Sequence, residues 1–202
     1  YALRGNLEVP PGVELRGSHD VPHHTLGKGS ALRVYAGRGQ AEGAAAVVLL
    51  AKSGLRGLSF LYPEQKFDAI EAYPFLVQGR GADIYAVNVN AMNAYQFMGF
   101  KGARCDRHLI EYPSGAPLKV GISVGGGSAG GEVRNAQLNP HYWNRSPYPD
   151  CPGIVKGSSE LSKKNFVWEY QKANLDAFVF GDCPGELQFQ NFVFGSLYGI
   201  HF

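Results

Sequence analysis

A corner that recurs along this chain, and accepts only Asn or Gly, limits what the chain can fold into. Gly185 to Phe202 (GELQFQNFVFGSLYGIHF) runs apolar, turns at Asn191, runs apolar again and turns once more at a glycine. Gly81 to Phe97 and Gly130 to Trp143 have the same form around Asn88 and Asn135, and Ser53 to Pro63 has it around Gly57. Asn and Gly are the residues that best tolerate a positive φ, so each corner predicts one left-handed residue joining two strand-like runs. A unit repeated in this way implies stacked supersecondary units. The corners are unevenly spaced, and Arg104 to Pro113 fits one further unit in the gap between Asn88 and Asn135. Neighbouring Asn side chains are expected to stack and bond adjacent backbones. The alternative is that Asn marks ordinary turns of an antiparallel β protein.

Composition agrees with a turn-rich β protein. Among 202 residues, 45% are hydrophobic and 18% charged, with 27 Gly, 12 Pro and 23 Phe plus Tyr. That excludes a disordered chain and fits one domain over residues 1–202. The formal charge of +2 carries no basic stripe, so no nucleic-acid partner is expected. No apolar run reaches the roughly 18 residues of a membrane span. The chain opens on Tyr1 and stops in mid-pattern at Phe202, so the expectation is a processed chain or, in preference, a segment of a longer one, joined to its remaining parts or self-associating.

Three cysteines leave one unpaired in any disulfide scheme. Cys151 and Cys183 share a repeated DCPG context; a disulfide between them and two buried thiols both fit. Asn144-Arg-Ser146 is a formal glycosylation sequon. The compartment inferred is extracytoplasmic: secreted, periplasmic or cell surface.

Taken in order, Leu7 to Asp20 reads as strand, Pro-Pro-Gly turn and strand, and Ser30 to Ala36 as another strand. Val120 to Val133, holding VGISVGGGSAGGEV, reads as a glycine-rich connection. A helix is expected within Ser158 to Phe178, capped by Ser158 or Ser159, with Leu161, Phe166 and Tyr170 on one side.

VPPGVELRG, SGLRGLSFLYPEQ, GADIYAVNVNAMNAYQF and ELQFQNFVFGSLYGIHF together resemble the right-handed parallel β-helix proteins of the pectate-lyase-like superfamily. The resemblance covers most of the chain and implies a right-handed parallel β-helix with long loops and one short helix. It implies action on a polysaccharide or glycan, as a glycoside hydrolase or polysaccharide lyase. The Asn-Thr-Asp triplet and Asp-Asp pair of polygalacturonase-type hydrolases are absent from this sequence. No cofactor is expected, with calcium left open by the calcium-dependent lyases.

Cleavage of a polysaccharide needs convergent carboxylates, or a base beside a cation. The candidate catalytic residues are Asp106 with His108, then Asp182 beside Glu186, and Glu64 at a strand end. On a strand, Asp106 and His108 would share one face and Arg107 the other. Arg107, His141, Tyr142, Trp143 and Arg145 are candidate substrate-binding residues, since aromatics stack on sugar rings and Arg pairs with a uronate. His19, Asp20, His23 and His24 cluster without any standard zinc spacing, so no metal site is assigned. A non-catalytic structural or adhesive solenoid, or a glycan-binding module, is the rival reading.

Overall fold

The computed structural model describes residues 1–19, 29–146 and 166–202. Its first strands are β1 (Ala2–Leu3), β2 (Leu7–Val9), β3 (Glu14–Arg16), β4 (Ser30–Val34), β5 (Val47–Leu50), β6 (Gly54–Leu61) and β7 (Phe75–Arg80). Then come β8 (Tyr85–Ala91), β9 (Gln96–Phe100), β10 (Leu109–Glu111), β11 (Ser114–Gly115), β12 (Val120–Val124), β13 (Glu132–Arg134) and β14 (Gln137–Leu138). Helices α1 (His141–Asn144) and α2 (Phe166–Asn174) precede β15 (Asp176–Phe180), β16 (Leu187–Phe189), β17 (Phe192–Val193) and β18 (Tyr198–His201). The helix expected before β15 is therefore α2; Ser158, Ser159 and Leu161 lie outside the described residues.

These strands form an eleven-stranded and a seven-stranded sheet, and the chain passes from one to the other and back. Every pairing between named strands is parallel. The antiparallel alternative is thus excluded for the described residues. Residues far apart in sequence become neighbours about 4.8 Å apart, the ordinary strand spacing. Among the described residues no helix is long and apolar enough to cross a membrane, which says nothing of strands.

Registered columns of apolar side chains fill the space between the sheets. In the smaller sheet Val47 pairs with Val77, Val77 with Met98, Met98 with Ile122, and Ile122 with Phe178. In the larger one Leu55, Ala86, Ile110 and Val133 follow one another. All of these belong to one buried cluster. Each large side chain buried this way contributes about 1.5–3 kcal/mol. At the last pass the columns end on Gln188 and on an exposed Ile200, and Leu187, Phe189, Phe192 and Tyr198 are also exposed there.

Gly57, Asn88 and Asn135 are left-handed, as their residue types require, with φ of 64°, 53° and 56°. The strand registers place them at one level across the larger sheet, in line with Tyr112 (φ 50°) and Gln190 (φ 52°). Tyr112 supplies the unit expected between Asn88 and Asn135. At the last corner Gln190, not Asn191, takes the left-handed position. Asn191 instead bonds the neighbouring pass: its Oδ1 accepts from the Ala136 amide at 3.0 Å and its Nδ2 donates to the Val133 carbonyl at 2.8 Å. Asn93 does the same to both backbone groups of Tyr62, at 2.8 and 3.0 Å. The inter-pass bonding expected of the corner asparagines thus falls to Asn93 and Asn191. The glycine-rich connection is also corrected, since Val120–Val124 forms β12 and only the residues after it make the turn.

A second left-handed stack lies where the chain enters the larger sheet. It comprises Gly12, Lys52, Asp83, Arg107, Gly130 and Gly185, with φ between 52° and 76°. The amides of Gly12, Lys52, Asp83, Arg107 and Gly130 donate to the carbonyls of Ala51, Ala82, Asp106, Ala129 and Pro184. These bonds are 2.8–3.3 Å long, and each acceptor is the residue just before the next left-handed one.

Tyr112 is the bulkiest residue held left-handed, a conformation costing a non-glycine residue roughly 1–2 kcal/mol. Tyr112→Asn should raise Tm by about 2–4 °C, and the β-branched Tyr112→Val should lower it, in thermal unfolding followed by circular dichroism. Equal responses would show that this corner imposes no such constraint.

Candidate functional site

In the first half of each long strand of the larger sheet, the middle residue points inward and its neighbours point out. Registered outward positions run Glu14, Gly54, Tyr85, Leu109, Glu132 and Leu187 in one column. Beside it run Arg16, Arg56, Val87, Glu111, Arg134 and Phe189. This face therefore gathers three glutamates, three arginines and a tyrosine from passes that are remote in sequence.

Two clusters form on it. Glu14 Oε2 accepts from Arg56 Nε at 3.0 Å and from the Tyr85 hydroxyl at 2.7 Å. Tyr85 reaches Glu14 by lying across Gly54, where a Cβ would stand 2.3 Å from the ring. The Tyr85 hydroxyl, and then Arg56, hold the Glu14 carboxyl below its ordinary pKa; burial, and then Glu14, push the Tyr85 phenol up. In the second cluster Arg134 donates from Nε to Glu111 Oε1 at 3.1 Å and from NH1 to Glu132 Oε2 at 2.9 Å. Arg134, Glu111 and Glu132 side chains are 35%, 21% and 40% exposed, so solvent reaches all three. Because Glu111 is registered with Arg134, Glu132 stands two residues back on the adjacent strand. That offset separates the two glutamate Cα atoms by about 8 Å.

The sequence candidates are distributed differently. Asp106, Arg107 and His108 lie in the left-handed corner before β10, so Asp106 and His108 do not share a strand face. Arg104 Nε bonds both oxygens of Asp106 at 2.8 Å, and the Ala129 amide donates to Oδ1 at 2.8 Å. Arg104 first, and then that amide, lower the Asp106 pKa and leave it a poor proton donor. Arg107 forks onto Asp83 through Nε and NH2, at 2.7 and 2.8 Å, and so is engaged within the protein. Asp182 is exposed two passes further along the same corner, where its carbonyl accepts from the Gly127 amide at 2.9 Å. Glu64 lies elsewhere, in the turn after β6 near Tyr73 and Arg38. Asp106 and Asp182 thus share an edge that Glu64 does not.

His108 is buried. Its Nδ1 lies 2.8 Å from the Cys105 carbonyl, which only accepts, so Nδ1 carries a proton. Its Nε2 faces Glu186 Oε1 at 3.2 Å. The imidazole spans the intervening pass above Gly131, where a Cβ would lie 2.0 Å from the ring. This pair staples two passes together inside the protein and does not face a substrate.

Tyr142 and Trp143 of α1 are buried, packed with Ala116, Leu118 and Val167. They brace the flank of the sheets rather than form an exposed sugar-binding wall. The Tyr142 hydroxyl donates to Gln137 Oε1 at 2.6 Å. His141 is partly exposed, with its ring 6.0 Å from that of Phe194, and Arg145 is exposed. Asn144 of the sequon is 2% exposed, a poor acceptor for a glycan. Cys105 and Cys183 are free thiols, and burial pushes both up in pKa. Cys151, Asp20, His23 and His24 lie outside the described residues. Among the described residues no group of three or more His, Cys, Asp or Glu side chains could hold a metal ion.

Glu14, Arg56, Tyr85, Glu132 and Arg134 were not singled out from sequence. A signal for part of this face was present: Arg56, Glu111 and Arg134 each immediately precede a left-handed corner residue, Gly57, Tyr112 and Asn135.

Gly131→Ala should evict the His108 ring and lower the unfolding free energy by about 2–4 kcal/mol, read as a lower urea midpoint. An unchanged midpoint would show that the pair contributes nothing. For Glu14, the lowered native pKa means that its stabilisation is fully present above the ordinary glutamate value of 4.5 and is lost as pH falls through the native value. Glu14→Gln should therefore flatten the acid limb of stability against pH, measured by urea unfolding. An identical limb would remove Glu14 from it. Compared with models of known families, with curated proteins and with solved structures, the chain matches none.

Proposed function

We propose that the chain is a right-handed parallel β-helix of pectate-lyase-like build that acts on carbohydrate, with the polysaccharide lying along the outer face of the larger sheet. The observation that carries this reading is Glu111 and Glu132, brought by adjacent parallel strands onto the single guanidinium of Arg134 on an open, rigid face. A glycoside hydrolase needs two carboxyl groups about 5–9.5 Å apart, and a spacing of this order follows from neighbouring strands. A polysaccharide lyase needs a base and a positive charge on the uronate, roles for one of these glutamates and for Arg134. An acidic sugar would compete with Glu111 and Glu132 for the guanidinium fork and leave one carboxylate unpaired beside the reacting carbon. Asp106, His108, Asp182 and Glu64 support the reading less, since they are engaged, buried or set apart.

A second reading is a non-catalytic structural or adhesive solenoid, or a glycan-binding module. What favours it is that Asp106, Glu111 and Glu132 are each held by an arginine, as a stabilising ion-pair network would hold them. Both readings place the protein outside the cytoplasm. The apolar side chains exposed on β16, β17 and β18 also support self-association at that edge.

The test is a polysaccharide panel, neutral and uronate-containing, with and without calcium, followed by reducing ends and by the absorbance of unsaturated uronates. Glu111→Gln and Glu132→Gln should each lower turnover at least 100-fold, with Tm within a few degrees of the parent. Full turnover in both variants would overturn the assignment of these glutamates. Binding without turnover would select the glycan-binding module.

A further inference from the structure

Beside the smaller sheet is a recess of about 200 Å3 lined by Glu42, Phe75, Gln78, Gly99, Lys101 and Gly102, together with small residues of the loop before β5. Its shape follows from glycine. A Cβ on Gly99 would lie 2.7 Å from the Phe75 ring, so only glycine lets that ring settle onto β9 as a floor. A Cβ on Gly102 would approach the Gln78 amide to 3.2 Å. The loop forming the opposite wall is held in place rather than draped. Gln96 Nε2 donates to the Ala41 carbonyl at 2.8 Å and to that of Tyr73 at 3.1 Å. The Gly39 amide donates to the Ala72 carbonyl at 2.7 Å, and Arg38 pairs with Glu71 at 3.0 Å. The recess is therefore preformed, which spares a ligand the cost of ordering it.

Three hydrogen-bonding groups meet there without a hydrogen-bond partner among the described residues. Gln78 Oε1 accepts from Arg80 NH2 at 3.2 Å, which leaves its Nε2 as a donor. The exposed Lys101 ammonium stands 6.0 Å over the centre of the Phe75 ring and donates to no described residue. The exposed Glu42 carboxylate, opposite in charge, accepts from no described residue. An aromatic floor with donors and an acceptor around it suits a ring that has one apolar face and hydroxyls at its edge, because each hydroxyl both donates and accepts. The two side-chain charges at the recess cancel, which disfavours a free anion. The volume holds one six-membered ring and its substituents, well below the size of a drug-like pocket.

We infer that this recess binds a single neutral pyranose, a terminal or branch sugar of a glycan, with its C–H face on Phe75 and its hydroxyls bridging Glu42 to Gln78 and Lys101. The site belongs to the smaller sheet and does not depend on Glu111 and Glu132, so the two assignments fail separately.

The experiment is saturation-transfer difference NMR on the whole chain with methyl glycosides of glucose, galactose, mannose and xylose, and with the methyl glycoside of galacturonic acid, its carboxylate free, as the charged control. At least one neutral glycoside should receive saturation on its ring protons, strongest on one face, with millimolar affinity and more than the uronate. Glu42→Gln combined with Gln78→Ala, both at exposed or half-exposed positions, should weaken that binding at least tenfold with Tm retained. Transfer to none of the neutral glycosides would overturn the inference, as would equal transfer in the double variant or a preference for the uronate.

Discussion

The bond on which the rest depends joins one pass of chain to the next at the corner entering the larger sheet. A left-handed residue turns its amide out of its own pass and onto the carbonyl before the equivalent residue of the neighbouring one. Five such bonds link Gly12, Lys52, Asp83, Arg107, Gly130 and the pass of Gly185. At a corner no strand ladder is available, and an unpaired backbone group there would cost as much as a lost hydrogen bond. The left-handed conformation is the local expense that keeps these amides satisfied. It also sets the register, because every pass must turn at the same level. With register set, apolar side chains fall into columns and outward charged ones into rows, and the Glu111–Arg134–Glu132 cluster follows without any local motif.

Glycine does a second, different job in the same frame. Tyr85 crosses Gly54 to Glu14, and His108 crosses Gly131 to Glu186. Each ring bridges a whole pass, which is open to it only because the intervening residue has no Cβ. Two distant passes are thereby tied by side chains as well as by backbone. One tie is partly exposed on the outer face and the other is buried. The recess floored by Phe75 is built by the same means, with Gly99 as the flat position.

Much of the frame was legible in the residues because its rules are local. Pro10-Pro11-Gly12 between two short strands, the buried run at Val47, and the left-handed Gly57, Asn88 and Asn135 all follow from conformational preference. The site was less legible because its rules are not local. Glu14 and Tyr85 are 71 residues apart, and His108 and Glu186 are 78 apart. Asp106, Arg107 and His108 looked like a strand because nothing in their side chains announces that Arg107 is left-handed, a conformation Arg rarely adopts. The same reason hid Gln190 behind Asn191, the residue type that a corner prefers. Tyr142 and Trp143 looked like a sugar-binding wall because their cover, Val167 of α2, comes from more than twenty residues away.

The direction in which register advances between passes tests this account most directly. In a uniformly deuterated, amide-protonated sample, NOE contacts should link Leu109 with Glu132 and Glu111 with Arg134, and on the other side Leu109 with Tyr85 and Glu111 with Val87. Both partners then advance together, as parallel strands require. Contacts pairing Leu109 with Arg134 and Glu111 with Glu132 would mean antiparallel strands. The columns, the corner ladder and the face built on them would then be wrong.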